Sequence, residues 1–140
     1  MWNLLWPVLL TVAADTFYHI CAKSTPGDMN PLAGLTVSYL TAAAAACALF
    51  FLTSSSKDLA GELSRMNWSS PVLGVSIVGL ELGFIYLYRA GWKVSVGSLV
   101  VNLSLACVLL FVGVLLYHET ISPRQAAGLA VCVLGLFLLS

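Results

Sequence analysis

Five long apolar stretches, at 2–22, 31–52, 71–88, 94–117 and 124–139, alternate with polar joints along this chain. A helix needs about 17–25 residues to cross the hydrocarbon core of a bilayer, and all five stretches are read as crossings, the last of them a short one. The runs are continuous rather than alternating and far longer than the strands of a membrane barrel, so they predict helices. The pattern reads as an all-α membrane protein with five transmembrane helices in one domain, 1–140.

The joints carry matching signals. Ser24, Thr25, Pro26, Gly27 and Asp28 make a tight polar turn, and Pro31 suits the first turn of the second helix. Residues 90–93 are a minimal hairpin, and Ser122 is placed to cap the fifth helix with Pro123 after it. Trp2, Trp6, Trp68, Trp92 and Tyr117 fall at segment ends, where interfacial aromatic belts form. The one longer connection, 53–70, puts Leu59, Leu63 and Met66 on one helical face and Lys57, Asp58, Glu62 and Arg65 on the rest. That suits a short helix at the membrane interface or, equally, a solvated loop.

Composition agrees. Of 140 residues 60% are hydrophobic and 9% charged, and mean hydropathy is +0.97. A soluble domain carries about 25% charged residues, so too few are present here to cover a water-facing surface. Net charge is zero, which leaves no basic surface for nucleic acid. Cys21, Cys47, Cys107 and Cys132 stand singly in apolar stretches, without metal-ligand spacing, and read as small packing residues. Met1, Trp2 and Asn3 lack the basic residue of a signal peptide, so the first segment is expected to be retained. With five crossings, Lys57, Arg65 and Arg124 fall on the amino-terminal side and Lys23, Arg89 and Lys93 on the other. This tie gives no orientation by the positive-inside rule. Either another subunit or folding order decides, or the chain inserts both ways and pairs with an inverted copy.

Against this background the buried polar residues stand out. Asp15 lies inside the first apolar stretch with Thr11, Tyr18 and His19 on the same face, at offsets of four, three and four along the helix. A charge at that depth costs roughly 2.5–3.5 kcal/mol even on the lenient insertion scale, so it persists where something uses it. A carboxylate beside an imidazole can bind a proton or a cation and exchange it for cargo; the plainer alternative is an acid that holds the bundle together. Glu81 is the second intramembrane acid, able to line a path with Asp15 or to pair with His19, and Tyr88 follows on its face. Gly79 and Gly83 bracket it at the spacing that lets helices approach closely. Ser95, Ser98 and Asn102 form a polar stripe on the fourth segment that suits a watery cavity or helix-to-helix hydrogen bonds. Gly128, Cys132 and Gly135 form a small-residue stripe on the last helix, suited to a dimer seam. No nucleophile elbow, phosphate loop or metal-ligand pair accompanies these residues, so they give no signature of an enzyme and imply neither metal nor cofactor.

Taken together the chain resembles the drug/metabolite transporter superfamily. Ala14 and Asp15, followed by Lys23 eight residues after the acid, look like the start of small multidrug resistance proteins. There an essential intramembrane acid binds protons and cationic cargo in competition, and aspartate here replaces the usual glutamate. The stretch 128–136 is similar to that family's glycine-spaced dimerisation motif. The extra helix at 31–52, the run Tyr88, Arg89, Ala90 and Gly91, then Ser98, then 119–128, look instead like one five-helix EamA-like repeat. Full-length members carry two such repeats in inverted orientation, so the resemblance implies an antiparallel homodimer, or a paralogous heterodimer, that rebuilds a ten-helix bundle. Where small multidrug proteins place a cargo-stacking tryptophan, this chain has Asn102, Leu103 and Ser104, which points away from polyaromatic drugs.

The resulting expectation is a secondary active transporter, proton-coupled, in a bacterial inner (cell) membrane. It would move a small polar, cationic or amphiphilic metabolite, with proton and substrate bound by Asp15, His19, Glu81, Asn102, Ser98 and Tyr18. Two rivals are a flippase for a lipid-linked sugar and a non-transporting membrane subunit. The charge tie makes its own prediction. One added lysine on either side should bias insertion strongly, and carboxyl-terminal reporter fusions of the native chain should signal from both compartments. A single native orientation, unmoved by added lysine, contradicts dual topology.

Overall fold

A computed structural model describes residues 2–118, 120 and 122–139, with side chains throughout except at Leu129, Cys132 and 136–139. Glu119 and Ile121 of the closing motif, and the Cys132 side chain of the small-residue stripe, therefore lie outside the described residues. Among those residues there are six helices and no strand: α1 (Trp2–Ser24), α2 (Pro31–Thr53), α3 (Leu59–Ser64), α4 (Ser69–Arg89), α5 (Val94–Tyr117) and α6 (Pro123–Leu139). Helix is the expected solution, since it satisfies every backbone group within one segment. Four of them, α1, α2, α4 and α5, are long and apolar enough to cross a membrane. Helix α6 has 17 residues, at the lower limit for a crossing.

Local chemistry sets the ends. Helix α1 runs past 22 because the Ser24 and Thr25 hydroxyls donate to the Ile20 and Cys21 carbonyls at 2.7 and 3.3 Å. Those carbonyls would otherwise be bare at the helix terminus. Asn30 caps α2 by accepting from the Leu32 N–H at 3.0 Å, with Pro31 in the first turn, where no N–H is needed. Helix α4 starts at Ser69, two residues before the expected Pro71, because the Asn67 side chain accepts the Ser69 N–H at 3.0 Å. The 53–70 connection contains the short helix α3, with Asp58 accepting the Gly61 N–H at 3.0 Å; Leu63 and Met66 stay uncovered by protein. Gly91 turns the chain at φ +97°, a region costly for other residues. Ser122 and Gln125 cap α6 reciprocally: the Gln125 side chain accepts from Ser122 N–H at 2.9 Å, and Ser122 Oγ from Gln125 N–H at 3.3 Å.

The chain divides into two compact units, Met1–Arg89 and Ala90–Ser140. In the second, α5 packs against α6. In the first, α4 packs against both α1 and α2. The buried residues of this first unit sit at one end: His19 on α1, Pro31 and Leu35 on α2, and Phe84, Ile85 and Tyr88 on α4. Residues 2–17 of α1, 40–49 of α2 and 69–76 of α4 have little protein against them. The glycine spacing around Glu81 does not act as expected within this unit. A Cβ added at Gly79 or Gly83 meets no described atom within 4 Å, so neither marks a close helix approach there.

Two basic residues fasten the packed end. Arg89, in the last turn of α4, donates to the Pro26 and Met29 carbonyls of the α1–α2 turn at 2.6 and 2.7 Å. Lys23, in the last turn of α1, donates to the Tyr88 carbonyl at 3.1 Å, where a helix carboxyl end presents unpaired acceptors and partial negative charge. Charge-assisted bonds of this kind are worth about 1.5–3 kcal/mol each. Arg89→Met should therefore lower stability in denaturant titration by about 2 kcal/mol and speed proteolysis within 25–30, with Arg89→Lys intermediate. Unchanged stability and unchanged cleavage in Arg89→Met would mean the clamp holds nothing.

Candidate functional site

The last two turns of α1 bring Asp15, Tyr18, His19 and Ala22 to the face that meets α4 and α2, as the 3.6-residue period requires. His19 is the buried hub of this face. Its ring meets Phe84 edge to face at 4.7 Å and Tyr18 at 5.2 Å. Its two nitrogens point different ways. Nδ1 lies 2.9 Å from the Tyr88 hydroxyl. Nε2 lies 3.4 Å from Asp15 Oδ2, close enough for an ion pair but without the alignment of a regular hydrogen bond. The Asp15 side chain is half-exposed, so it is the freer partner.

On the other side of Tyr18 a cavity of about 100 Å³ opens between α1, α2 and α4. Its polar lining comes from Tyr18, Cys21, Thr25, Ser38 and Glu81, and its apolar wall includes Leu35 and Ile85. It has room for several waters or a small polar head. The Glu81 carboxyl faces the hydroxyls of Tyr39 and Tyr18. Both hydroxyls are buried without a regular hydrogen-bond partner. Among the described residues no lysine, arginine or histidine lines this cavity; its one carboxyl is that of Glu81, and its other polar groups are oxygens and a thiol. Such a lining favours a positively charged guest. A larger groove of about 440 Å³ continues from it along α2 past Met29, Gly34 and Val37, sharing Thr25, Leu35, Ser38 and Ile85 with the cavity.

The structure thus gathers four of the expected residues, Asp15, Tyr18, His19 and Glu81, within the first unit. Tyr18 is the element between them, its ring on His19 and its hydroxyl towards Glu81. The pairing of Glu81 with His19, one of the two readings open from sequence, is not what forms: His19 takes Asp15 and Tyr88 instead. Ser98 and Asn102 belong to the second unit. The Ser98 hydroxyl donates to the Val94 carbonyl of its own helix at 2.7 Å, and Asn102 is exposed. Gly128 is exposed and Gly135 half-buried, and an added Cβ at either meets no described atom within 4 Å. Sequence reasoning missed Ser38, Tyr39 and Phe84. The adjacent hydroxyls of Ser38 and Tyr39 in an apolar segment were an available signal, whereas Phe84 had none.

A watery cavity has a chemical signature in Cys21. Thiols react as thiolates, which form only where water reaches them. In a Cys107→Ser, Cys132→Ser background, Cys21 should react with a small charged methanethiosulfonate at least tenfold faster than Cys47, which is exposed like Cys21 but lies in an apolar stretch away from the cavity. Ala22→Phe should slow that reaction. Equal rates at Cys21 and Cys47 would mean the cavity is dry.

Comparison with known proteins gives one positive result. The profile of the EamA-like transporter family matches residues 2–140. Neither a curated protein nor a solved structure matches the chain significantly. Helices long and apolar enough to span a bilayer and a family match over almost the whole sequence agree, and the chain belongs to the EamA-like transporter family, membrane transporters within the drug/metabolite superfamily.

Proposed function

We propose that this chain is a proton-coupled secondary transporter for a small metabolite carrying an amine, working as an antiparallel homodimer. Proton and cargo compete for the charge of the intramembrane acids, with Asp15 as the coupling group and the Glu81 cavity as the seat of the cargo's positive head. The apolar groove beside the cavity takes the rest of an amphiphilic cargo. In this reading α6 is the fifth crossing, and its glycine stripe is the seam with the second copy. Alternating access follows from exchange of conformations between the two inverted subunits.

The observation that carries this reading is the cavity between α1, α2 and α4, with Glu81 and, among the described residues, no basic side chain in its lining, joined through Tyr18 to Asp15 and His19. Family membership supports transport rather than chemistry on the cargo. The cost of a carboxylate in an apolar helix supports its use, since a purely structural acid is replaceable without that penalty.

Flux into liposomes tests the division of labour. For the best-carried amine from a panel of choline, ethanolamine and putrescine, Asp15→Asn should abolish uptake driven by a pH gradient, because an amide cannot titrate. Asp15→Glu should keep part of it with an altered pH profile. Glu81→Gln should raise KM by roughly tenfold, about 1.4 kcal/mol of lost cargo binding. Gradient-driven uptake by Asp15→Asn with the native pH profile would make Asp15 structural. Five crossings further require the two termini on opposite faces within any one molecule. Cysteine labelling that finds both ends on one face in an oriented population contradicts that count.

A further inference from the structure

We infer that Tyr88 is a positioning residue for the coupling acid: its hydroxyl holds His19 in the Nε2–H form and so keeps the imidazole proton on the nitrogen nearest Asp15. This rests on the reading of Asp15 as the coupling group, but its geometry stands apart from any cargo. An ionised carboxylate only accepts hydrogen bonds, so Nε2, which faces Asp15 Oδ2 at 3.4 Å, must carry the proton for the contact to be attractive. A neutral imidazole has one N–H. Nδ1 is then an acceptor, and the Tyr88 hydroxyl at 2.9 Å donates to it. The three side chains line up from Tyr88 through His19 to Asp15, with a hydrogen bond at the first link and an ion-pair distance at the second.

Rigidity falls along that chain in the same direction. Tyr88 is buried and lies nearly parallel to the Phe84 ring at 6.0 Å. The Lys23 ammonium sits 5.8 Å from its ring centre and bonds its carbonyl, while the next residue, Arg89, is tied to the α1–α2 turn. His19 is fixed by the rings of Phe84 and Tyr18. Asp15 alone is half-exposed and imperfectly aligned. The mobile member is therefore the acid, which leaves His19 to take a proton or a cation and returns to a donor that has not moved. A second proton reaching His19 from water goes to Nδ1, and the Tyr88 hydroxyl must then turn from donor to acceptor. The titratable groups around this chain are Tyr18 beside the imidazole, Lys23 over Tyr88, and Glu81 and Tyr39 beyond Tyr18.

The test is the tautomer itself, read by ¹⁵N NMR of histidine-labelled protein in lipid nanodiscs at alkaline pH without cargo. His118→Gln leaves His19 as the sole signal, since the chain has two histidines. The Nε2–H tautomer should exceed the other by roughly tenfold, with Nδ1 shifted as a hydrogen-bond acceptor. Tyr88→Phe should give a mixture of tautomers and move the Asp15 Cγ resonance, although Tyr88 does not touch Asp15. Phe84→Leu, which removes ring packing but keeps the hydroxyl, should leave one tautomer. A wild-type His19 in the Nδ1–H form or as a mixture overturns the inference even if Tyr88→Phe fails to fold. So does an Asp15 resonance unchanged in a folded Tyr88→Phe. These spectra need no transport, so their failure is separate from intact gradient-driven flux in Asp15→Asn, which would instead overturn the coupling role.

Discussion

The contact between His19 and the aromatic face of α4 is the constraint on which the first unit depends. A histidine in an apolar helix must have its nitrogens satisfied, because an unpaired polar group away from water costs about 1–3 kcal/mol. Tyr88 meets that demand at Nδ1, Asp15 lies at ion-pair distance from Nε2 without completing a hydrogen bond, and Phe84 and Tyr18 cover the ring. The geometry fixes where α1 can lie on α4, and the turn to α2 follows from the Arg89 clamp. In lipid, apolar side chains gain little by leaving hydrocarbon for protein, so packing, hydrogen bonds and small residues must hold helices together. This unit uses the first two. That is why its packed residues gather at one end, while long stretches of α1 and α2 have little protein against them.

The same contact shapes the chemistry. By taking Asp15 and Tyr88, His19 leaves Glu81 to the cavity side, facing the two tyrosine hydroxyls. The two intramembrane acids consequently have different surroundings. Asp15 has a base beside it and room to move, whereas Glu81 sits in an oxygen-lined recess adjoining an apolar groove. Tyr18 lies between them, its ring on His19 and its hydroxyl on the cavity side.

Much of this was legible in the sequence because the bilayer simplifies the problem. Apolar length locates helices α1, α2, α4, α5 and α6, and the cap residues Asn30 and Ser122 mark where two of them begin. Asp15, Tyr18 and His19 were readable as one face because helical period alone puts them there. What periodicity does not give is which helix that face meets. Glu81 and Tyr88 share a face of α4, yet Tyr88 bonds His19 and Glu81 does not, a choice set by the depth at which the turn and Arg89 hold α1 against α4. Gly79 and Gly83 have the spacing of a packing motif, but small residues permit close approach without requiring it, and in this unit α1 and α2 pack elsewhere on α4. Ser38 and Tyr39 are not legible as cavity residues from sequence, because hydroxyls in apolar helices commonly bond their own backbone, as Ser38 does to Gly34, and only the fold shows a cavity beside them.

The central claim is that the Asp15 and His19 pair exchanges protons within the membrane rather than merely bracing two helices. The most direct measurement is the capacitive current of reconstituted protein on a solid-supported membrane after a pH step with no cargo present. Proton entry to an intramembrane carboxylate moves charge through part of the membrane dielectric. The account predicts a transient in the wild type that disappears in Asp15→Asn and persists in Glu81→Gln. A wild-type protein that gives no transient, or an Asp15→Asn variant that gives the same one, would contradict it.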